Sequence, residues 1–486
     1  MCGIAATVGI GDPAVFGRLF GAVAHRGPDQ SGVVETGRAR LGCHRLAIVD
    51  PEAGHQPLVS ADGRRLLVFN GEIYNHRALR DEFRGYGYRS GSDGEVLFPL
   101  LEREGPAGLR RLRGMFAFVL YDQATGETLA ARDPFGIKPL YILEAAGGLA
   151  VASEMKAFLG LGGRVRFVPP GHGLLSGRLI RYYRLPRRGW ARRRPSLRPL
   201  LEEAVASHLP PDGPCGVLLS GGLDSSAVAA LAARVRPDLT AYTVALPGAP
   251  DTERAEEVAA HLGIRHEVLR VSDAEARAVL PPTIWYLESY HPVMVRNALP
   301  LYLIARHARR DVKVLLGGDG ADELFAGYDY LAGLERRFWP AALESGVNNL
   351  HRTELQRADR TTMANGVELR VPFLDAPLAE AALDLPLGDK VRLVDGRRIV
   401  KWALRAAVAD LLPPAIVWRA KTPFADGSGF SRLGLDGGRA DEETFREVWQ
   451  SVYGEASATV PIWADAGRYT GFEEQNGEPL LGLFRR

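Results

Sequence analysis

At 486 residues the chain is longer than one hydrophobic core usually organises, so two or three domains are expected. A hydrophobic share of 46%, a charged share of 24% and a formal net charge of +2 describe an ordinary globular protein with no global pull toward nucleic acid. No run approaches the ~18 apolar residues of a membrane span, and Met1-Cys2-Gly3-Ile4 lacks the basic segment of a signal peptide, which places the chain in the cytoplasm. Cys2, Cys43 and Cys215 are odd in number and contain no Cys-x-x-Cys pair, which argues against a disulfide framework and against a structural zinc site.

Cys2 directly follows Met1. A residue this small permits removal of the methionine, which would leave a cysteine with a free α-amine beside its thiol. With ordinary pKa values of ~7.7 to 8.0 and ~8.5, the amine can take the thiol proton near neutrality and return it to a leaving amine. A structural cysteine is the alternative reading of a lone residue at this place. His25-Arg26-Gly27-Pro28-Asp29 is a turn-forming loop, residues 41–49 alternate as a strand carrying Arg45, and residues 66–69 run as a strand into Asn70-Gly71-Glu72-Ile73-Tyr74-Asn75. An Asn-Gly at a strand end usually marks a hairpin, yet residues 76–83 read as a helix and not as a returning strand. The Asn70 amide and the Gly71 N–H then offer two donors for the oxyanion of a tetrahedral intermediate. Ser92-Asp93-Gly94-Glu95 opens a helix over 96–103, with Asp93 either a capping acid or a ligand carboxylate.

With His44-Arg45-Leu46-Ala47-Ile48-Val49-Asp50 and Arg132-Asp133-Pro134-Phe135-Gly136-Ile137-Lys138-Pro139-Leu140-Tyr141, these motifs together resemble the glutaminase domain of the asparagine synthetases. The resemblance implies an N-terminal-nucleophile hydrolase with an αββα sandwich over residues 1–183. In that family's terms Cys2 is the nucleophile, Asn70 and Gly71 form the oxyanion hole, and Arg45, Asn70, Gly71, Glu72 and Asp93 bind glutamine. The charges suit the task, because a guanidinium pairs with an α-carboxylate through two parallel hydrogen bonds and carboxylates receive an α-ammonium.

Residues 184–198, with Arg184, Arg187, Arg188, Arg192, Arg193 and Arg194 among Pro186, Gly189 and Pro195, show no periodicity and read as a solvated basic linker. A nucleic-acid patch is the alternative, and no recognised nucleic-acid module accompanies it. Beyond it, residues 199–486 open with Pro-Cys-Gly-Val-Leu-Leu-Ser-Gly-Gly-Leu-Asp-Ser-Ser over 214–226. Residues 217–219 predict a strand, Gly221 and Gly222 a turn, and Ser225-Ser226 the start of an Ala-rich helix, a build that suits anionic oxygens. No Walker lysine is present; Asp224 sits in the turn instead, and a carboxylate beside a phosphate implies a divalent cation between them. The pattern resembles the pyrophosphate loop of the ATP pyrophosphatases, with a plain Gly-Gly turn and Ser cap as the alternative. Strands over 240–246, 266–271 and 312–316 then alternate with helices, the first over 251–262 and closed by Gly263. That order implies parallel βαβ units whose loops at Ser220, Pro247 and Gly317 meet on one sheet edge.

This half also resembles asparagine synthetase, through 220–226, Val244-Ala245-Leu246-Pro247-Gly248, the acidic loop Gly317-Gly318-Asp319-Gly320-Ala321-Asp322-Glu323, Asp359-Arg360-Thr361-Thr362, residues 367–375 and residues 419–427, thinning after Phe430. The implied fold is a Rossmann-like ATP-pyrophosphatase domain. Leu219, Ser220, Gly221, Gly222, Asp224, Ser225, Val244, Gly317 and Gly318 would bind ATP, Asp224 and Asp322 would hold Mg2+, and Lys421 would meet the departing pyrophosphate. Where the better-known synthetases read Ser-Gly-Glu-Gly-Ser-Asp-Glu, Asp319 here replaces the glutamate and two hydroxyls are gone; Arg296-Asn297-Ala298 replaces Arg-Ala-Ser near the acceptor. Asp319 is nonetheless expected to serve as acid or base around acyl-adenylate formation and ammonia attack. The expected activity is ATP-dependent conversion of aspartate to asparagine with glutamine as nitrogen donor. The runner-up is a related amidotransferase of secondary metabolism acting on another carboxylate; a ring-closing β-lactam-type enzyme would lack Cys2, and an inactive ATP-binding scaffold would need none of these groups. Met115, Phe116 and Phe118 are candidates to line an ammonia route or simply to fill the core. A homodimer is the candidate assembly.

Overall fold

The structure, a computed structural model, describes residues 1–145, 147–185, 196–434 and 441–455. Most of the expected basic linker, and the tail beyond residue 455, lie outside the described residues. The N-terminal half is built from two six-stranded antiparallel sheets. In the first, Cys2–Val8 lies between Gly148–Ala152 and Ala39–Arg45; in the second, Arg65–Ile73 pairs with Gly114–Asp122 along its full length. Alternation explains the layering. Ile4 and Ala6 point between the sheets against Leu66, Val68, Ala117 and Val119, whereas Ala5 points outward under the helix Pro13–Ala22. The second sheet's other face is covered by Leu97–Glu104 and His76–Glu82, with Phe69, Phe116 and Phe118 packed among them. The result is the expected αββα sandwich. Phe116 and Phe118 therefore fill the outer layer, and only Met115 of the three candidates faces the second half of the chain.

Asn70 and Gly71 belong to the strand Arg65–Ile73 itself, which runs past residue 69, where the sequence pattern ends it. The pairing with Gly114–Asp122 continues through both residues, because each has a full ladder partner, Ala117 and Phe116.

The second half carries a five-stranded parallel sheet in the order Arg265–Arg270, Thr240–Ala245, Cys215–Leu218, Val314–Leu316, Glu368–Arg370. The first strand in sequence is central, with its successors added on one side and then on the other. The loops after Cys215–Leu218 and Val314–Leu316 thus leave in opposite directions, opening a crevice at the carboxyl edge where ligands of such sheets bind. The helix Leu223–Ala233 is buried on nearly every side by its run of alanines. It starts at Leu223, so Asp224 stands in the first helical turn and not in the preceding loop. The edge strand Glu368–Arg370 and the hairpin Val391–Val394 with Arg397–Val400 have no periodic signature in the sequence.

The two halves meet over a buried, charged seam. Arg26 bonds Glu154 (2.7 Å) and Asp359 (3.1 Å), Lys138 reaches the same aspartate (3.3 Å), and Arg360 bonds Glu288 (3.0 Å). The motifs around Arg26, Lys138 and Asp359-Arg360 are thus one interdomain network, and their side chains are all but removed from water. Such groups are tolerated inside a protein only when paired, and breaking one pair strands the rest. Among the described residues no helix is long and apolar enough to cross a membrane.

Candidate active sites

Cys2 lies at the start of a central strand and is almost wholly buried. Its N–H donates to Asn70 Oδ1 (3.0 Å), its carbonyl accepts from Arg26 Nε (3.1 Å), and its sulfur accepts a long contact from Gln56 Nε2 (3.6 Å). Burial pushes the thiol up, but the neighbouring Cys43, the chain's terminal ammonium and Arg45 outweigh it and leave the Cys2 thiol lowered to about 7. Cys43, also buried, is held well above its ordinary value. With its oxygen committed to Cys2, the Asn70 amide keeps Nδ2 buried and without a partner. A buried donor left bare beside a nucleophile costs stability unless a ligand meets it, and an oxyanion would. Gly71 cannot carry a side chain, because a Cβ there would come within 2.1 Å of Met115 O.

Glu72 and Asp93 are brought together here, both buried. Asp93 Oδ2 accepts from Ile73 N (2.7 Å), and Glu72 Oε2 accepts from Arg370 Nη2 (3.0 Å) across the seam. Burial raises both, Glu72 to about 8 and Asp93 to about 6, with the adjacent carboxylates adding to the rise. The Met1 ammonium, in turn, pairs with Glu368 (3.3 Å). Arg45 is Cys2's ladder partner, but its terminal nitrogens are engaged: Nη1 with Gln30 (2.6 Å) and Nη2 with Val49 O (2.7 Å) and Asp50 O (2.8 Å). It shapes the loop beside the cysteine and shows no bond to Glu72 or Asp93.

The second site is a cleft of about 420 Å³ at the carboxyl edge of the parallel sheet. Leu219, Ser220, Gly222, Asp224, Ser225, Val244, Gly318, Asp319, Asp322 and Lys421 all line it. Gly221 has φ +69°, and a Cβ would meet Ala255 N at 2.7 Å; Gly318 lies so near Asp224 that a Cβ would sit 3.0 Å from that residue's own. Gly317 donates its N–H to Arg370 O (2.9 Å), which ties the acidic loop to the edge strand. The Ser225 hydroxyl accepts from Ser220 N (3.1 Å) and closes the phosphate-loop turn.

Asp224 and Asp322 converge on one atom, Lys401 Nζ, at 2.5 and 2.6 Å, and Lys421 adds a second contact to Asp322 at 2.7 Å. Burial raises both carboxyls; Lys401 and Lys421 bring Asp322 below its usual range, while Asp224, where the charge of Asp322 adds to burial, stays above despite Lys401. Asp224 Oδ1 is buried and unpartnered. Two carboxylates sharing one cation position, with an oxygen to spare, fit a hard divalent ion. Lys401 itself is absent from the expectations above. It is buried and has φ +56°, a strained conformation for a lysine, and strain of this kind concentrates at functional sites. A usable signal existed. The chain's lysines are only Lys138, Lys156, Lys313, Lys390, Lys401 and Lys421 among 60 basic residues, so each marks a place where a point charge is kept in preference to a guanidinium.

In the same lining Asp319 Oδ1 accepts from Arg357 Nη2 (2.8 Å), and Glu323, Tyr328, Glu354 and Asn297 also line the cleft. Burial raises the Asp319 carboxyl and Arg357 opposes it. Arg296, expected to border the acceptor, turns away: it is bound to Asp441 (2.6 Å) and to carbonyls of Phe430 (2.8 Å) and Leu433 (3.1 Å), and its neighbour Asn297 lines the cleft instead.

A sandwich with a buried cysteine at its first strand, joined to a doubly wound sheet with a glycine-rich phosphate edge, is the build of a glutamine amidotransferase domain fused to an ATP-using synthetase. The family model described as a glutamine amidotransferase domain matches residues 1–167, and the one described as asparagine synthase matches 196–348 and 335–441. The chain is 38% identical over 441 residues to asparagine synthetase B [glutamine-hydrolyzing] of Escherichia coli, covering 84% of this chain and 78% of that protein. It is 37% identical over 463 residues to the asparagine synthetase [glutamine-hydrolyzing] of Sandersonia aurantiaca, covering 89% and 88%. A probable asparagine synthetase [glutamine-hydrolyzing] of Schizosaccharomyces pombe is 38% identical over 449 residues, with 84% and 80% covered. The chain belongs to the glutamine-hydrolysing asparagine synthetase family.

Proposed function

We propose that the chain converts aspartate to asparagine in two coupled reactions. In residues 1–183 Cys2 attacks the side-chain amide of glutamine, Asn70 Nδ2 and the Gly71 N–H receive the oxyanion, the C–N bond breaks as ammonia leaves with the proton the thiol gave up, and water then cleaves the thioester to release glutamate. Glu72 and Asp93 take the α-ammonium of glutamine, and Arg45 serves the α-carboxylate once it yields its loop contacts. In residues 199–486 the side-chain carboxylate of aspartate attacks the α-phosphorus of ATP and pyrophosphate leaves; ammonia then attacks the acyl carbon, the bond to AMP breaks with its electron pair, and asparagine forms.

Leu219 and Val244 contact the nucleotide, the Ser220–Ser225 loop and Gly317-Gly318 approach its phosphates, and Lys401 and Lys421 exchange their aspartates for pyrophosphate oxygens as charge grows there. Asp224 and Asp322 would hold Mg2+, which when bound offsets charge on the phosphates. Asp319 accepts a proton from the attacking ammonia. Free cysteines suit a reducing compartment, and we place the enzyme in the cytoplasm, acting on glutamine, ATP and aspartate.

The observation that carries this reading is the seam. Glu72 of the cysteine site is bonded to Arg370, whose own carbonyl holds Gly317 of the nucleotide edge, so the two sites are joined through a single strand. Met115, Leu46 and Leu219 share one apolar cluster at this junction and suit a dry passage for ammonia. The test is product analysis with purified protein, ATP, magnesium and glutamine. AMP and asparagine appearing only when aspartate is present supports the reading; AMP with another carboxylate and none with aspartate would transfer it to the related amidotransferases.

A further inference from the structure

Resting on the acyl-adenylate reading above, we propose that Arg357 recognises the acceptor's α-carboxylate and, by taking it, releases Asp319 to act as the base. The cleft's other cations are already committed to its phosphate end. Lys401 and Lys421 sit on Asp224 and Asp322, Arg419 is held by Asp251 (2.5 Å) and Gly221 O (2.7 Å), and Arg405 donates to Val400 O (2.7 Å) and to Val417 O. Among the described lining residues Arg357 is the guanidinium that comes from a different element, the helix Glu354–Met363.

Its engagement is incomplete. A carboxylate seated side-on would take both Nε and Nη2 of an arginine, but Asp319 takes only Nη2, and Nε is buried with no partner. That half-used edge can accept a second carboxylate. The surroundings define what else the ligand must carry. Burial lifts the Glu323 carboxyl to about 8, but Asp319 and Glu354 still outnumber the single guanidinium here, so a bare dicarboxylate meets excess negative charge, whereas an α-ammonium is matched by it. The chemistry therefore selects an α-amino acid with a second carboxylate to be activated.

The exchange has a catalytic consequence. While Arg357 holds Asp319, its charge opposes proton uptake by that carboxylate. Once the acceptor's α-carboxylate takes the guanidinium, Asp319 regains its basicity next to the acyl-adenylate. As the N–C bond forms and the C–O bond to AMP breaks, one proton of the attacking nitrogen passes to Asp319. The base is thereby switched on only when an acceptor is seated.

The test compares AMP release with aspartate, with β-alanine (aspartate without its α-carboxylate) and with succinate (aspartate without its ammonium), using the full chain and Arg357→Gln. The parent should favour aspartate over β-alanine by roughly 10²-fold or more in kcat/KM, as sites that bond a charged group do. Arg357→Gln should bring that ratio to within a few-fold of one while the preference for aspartate over succinate persists. An unchanged aspartate-to-β-alanine ratio in Arg357→Gln, or a parent ratio near one, overturns the proposal. Glutaminase turnover in the same sample reports whether the chain is folded. Should the glutamine variant fail that check, Arg357→Lys decides: its ammonium cannot fork, so the ratio should fall about tenfold, and an unchanged ratio overturns the proposal equally. A parent that releases no AMP with any of the three acids would instead sink the aspartate reading on which this rests.

Discussion

The two sites satisfy their charges in opposite ways. Around Cys2 most polar groups are fixed by backbone, Asn70 by the Cys2 N–H, Asp93 by Ile73 N and Arg45 by the carbonyls of Val49 and Asp50, while Glu72 leans on a distant side chain, Arg370. In the cleft the charges are satisfied by one another, with Lys401 between two aspartates and Arg357 on Asp319. Backbone partners stay in place, so the cysteine site is largely preorganised for one small amide, and Arg45 is the group that must give up its carbonyls when glutamine arrives. Side-chain partners can leave, and a site that must admit ATP and an acceptor gains from ion pairs that hold its charges until the substrates replace them. Both solutions meet the same requirement that buried charge be paired.

The comparison can be broken most decisively at Cys2. Cys2→Ala should lower glutamine hydrolysis by at least about 10³-fold, the scale on which a nucleophile is lost, while added ammonium still yields asparagine. Loss of the ammonium-dependent reaction in a folded Cys2→Ala protein would mean that the sites are not separable. Next, Asp224→Asn and Asp322→Asn should each reduce AMP formation by roughly 10² to 10³-fold without touching glutaminase turnover, since each removes charge from the phosphate end alone. A parent-like rate with an unaltered magnesium titration would free that residue from the cation.

A finer cut is Asp319→Asn. If Asp319 takes the proton, kcat for amide formation should fall by about 10²-fold with KM for aspartate changed far less; a loss confined to KM would make it a binding group only. The smallest effect is in pH. With the Cys2 thiol at about 7 in the chain that keeps Met1, the thiolate is present above that value and lost below it, so kcat/KM for glutamine should fall about tenfold per unit below pH 7 and level off above, and removal of Met1, which puts the amine on Cys2 itself, should move that inflection. AMP formation with aspartate should not follow that profile. A glutaminase rate flat from pH 5 to 8 would show that the thiolate is not the reacting form.

Legibility in the sequence followed the same division. The cysteine site was readable because its parts lie on contiguous motifs: Asn70-Gly71-Glu72 on one strand, Asp93 at one helix start. So was the parallel character of the sheet up to Leu316, because strands alternating with helices imply βαβ units; the strand order itself came only from the structure. Lys401 was marked only by its rarity as a lysine and Arg357 by nothing, as neither stands in a motif with the residue it meets and only folding brings them to Asp224 and Asp319. The edge strand Glu368–Arg370 was seen as a motif and not as structure, since three residues carry no period. Asp359-Arg360 and Arg26 were visible as family motifs without a role. Their meaning is the seam, which pairs residues separated by 333 positions and leaves no local trace.

The central claim is that this seam joins the two sites into one sealed path for nitrogen. Glutamine labelled with ¹⁵N in its amide, supplied together with an excess of unlabelled ammonium, tests it in one measurement of the asparagine formed. A sealed path predicts side-chain nitrogen drawn predominantly from glutamine despite the excess; asparagine labelled only in proportion to the mixed ammonium pool would contradict it.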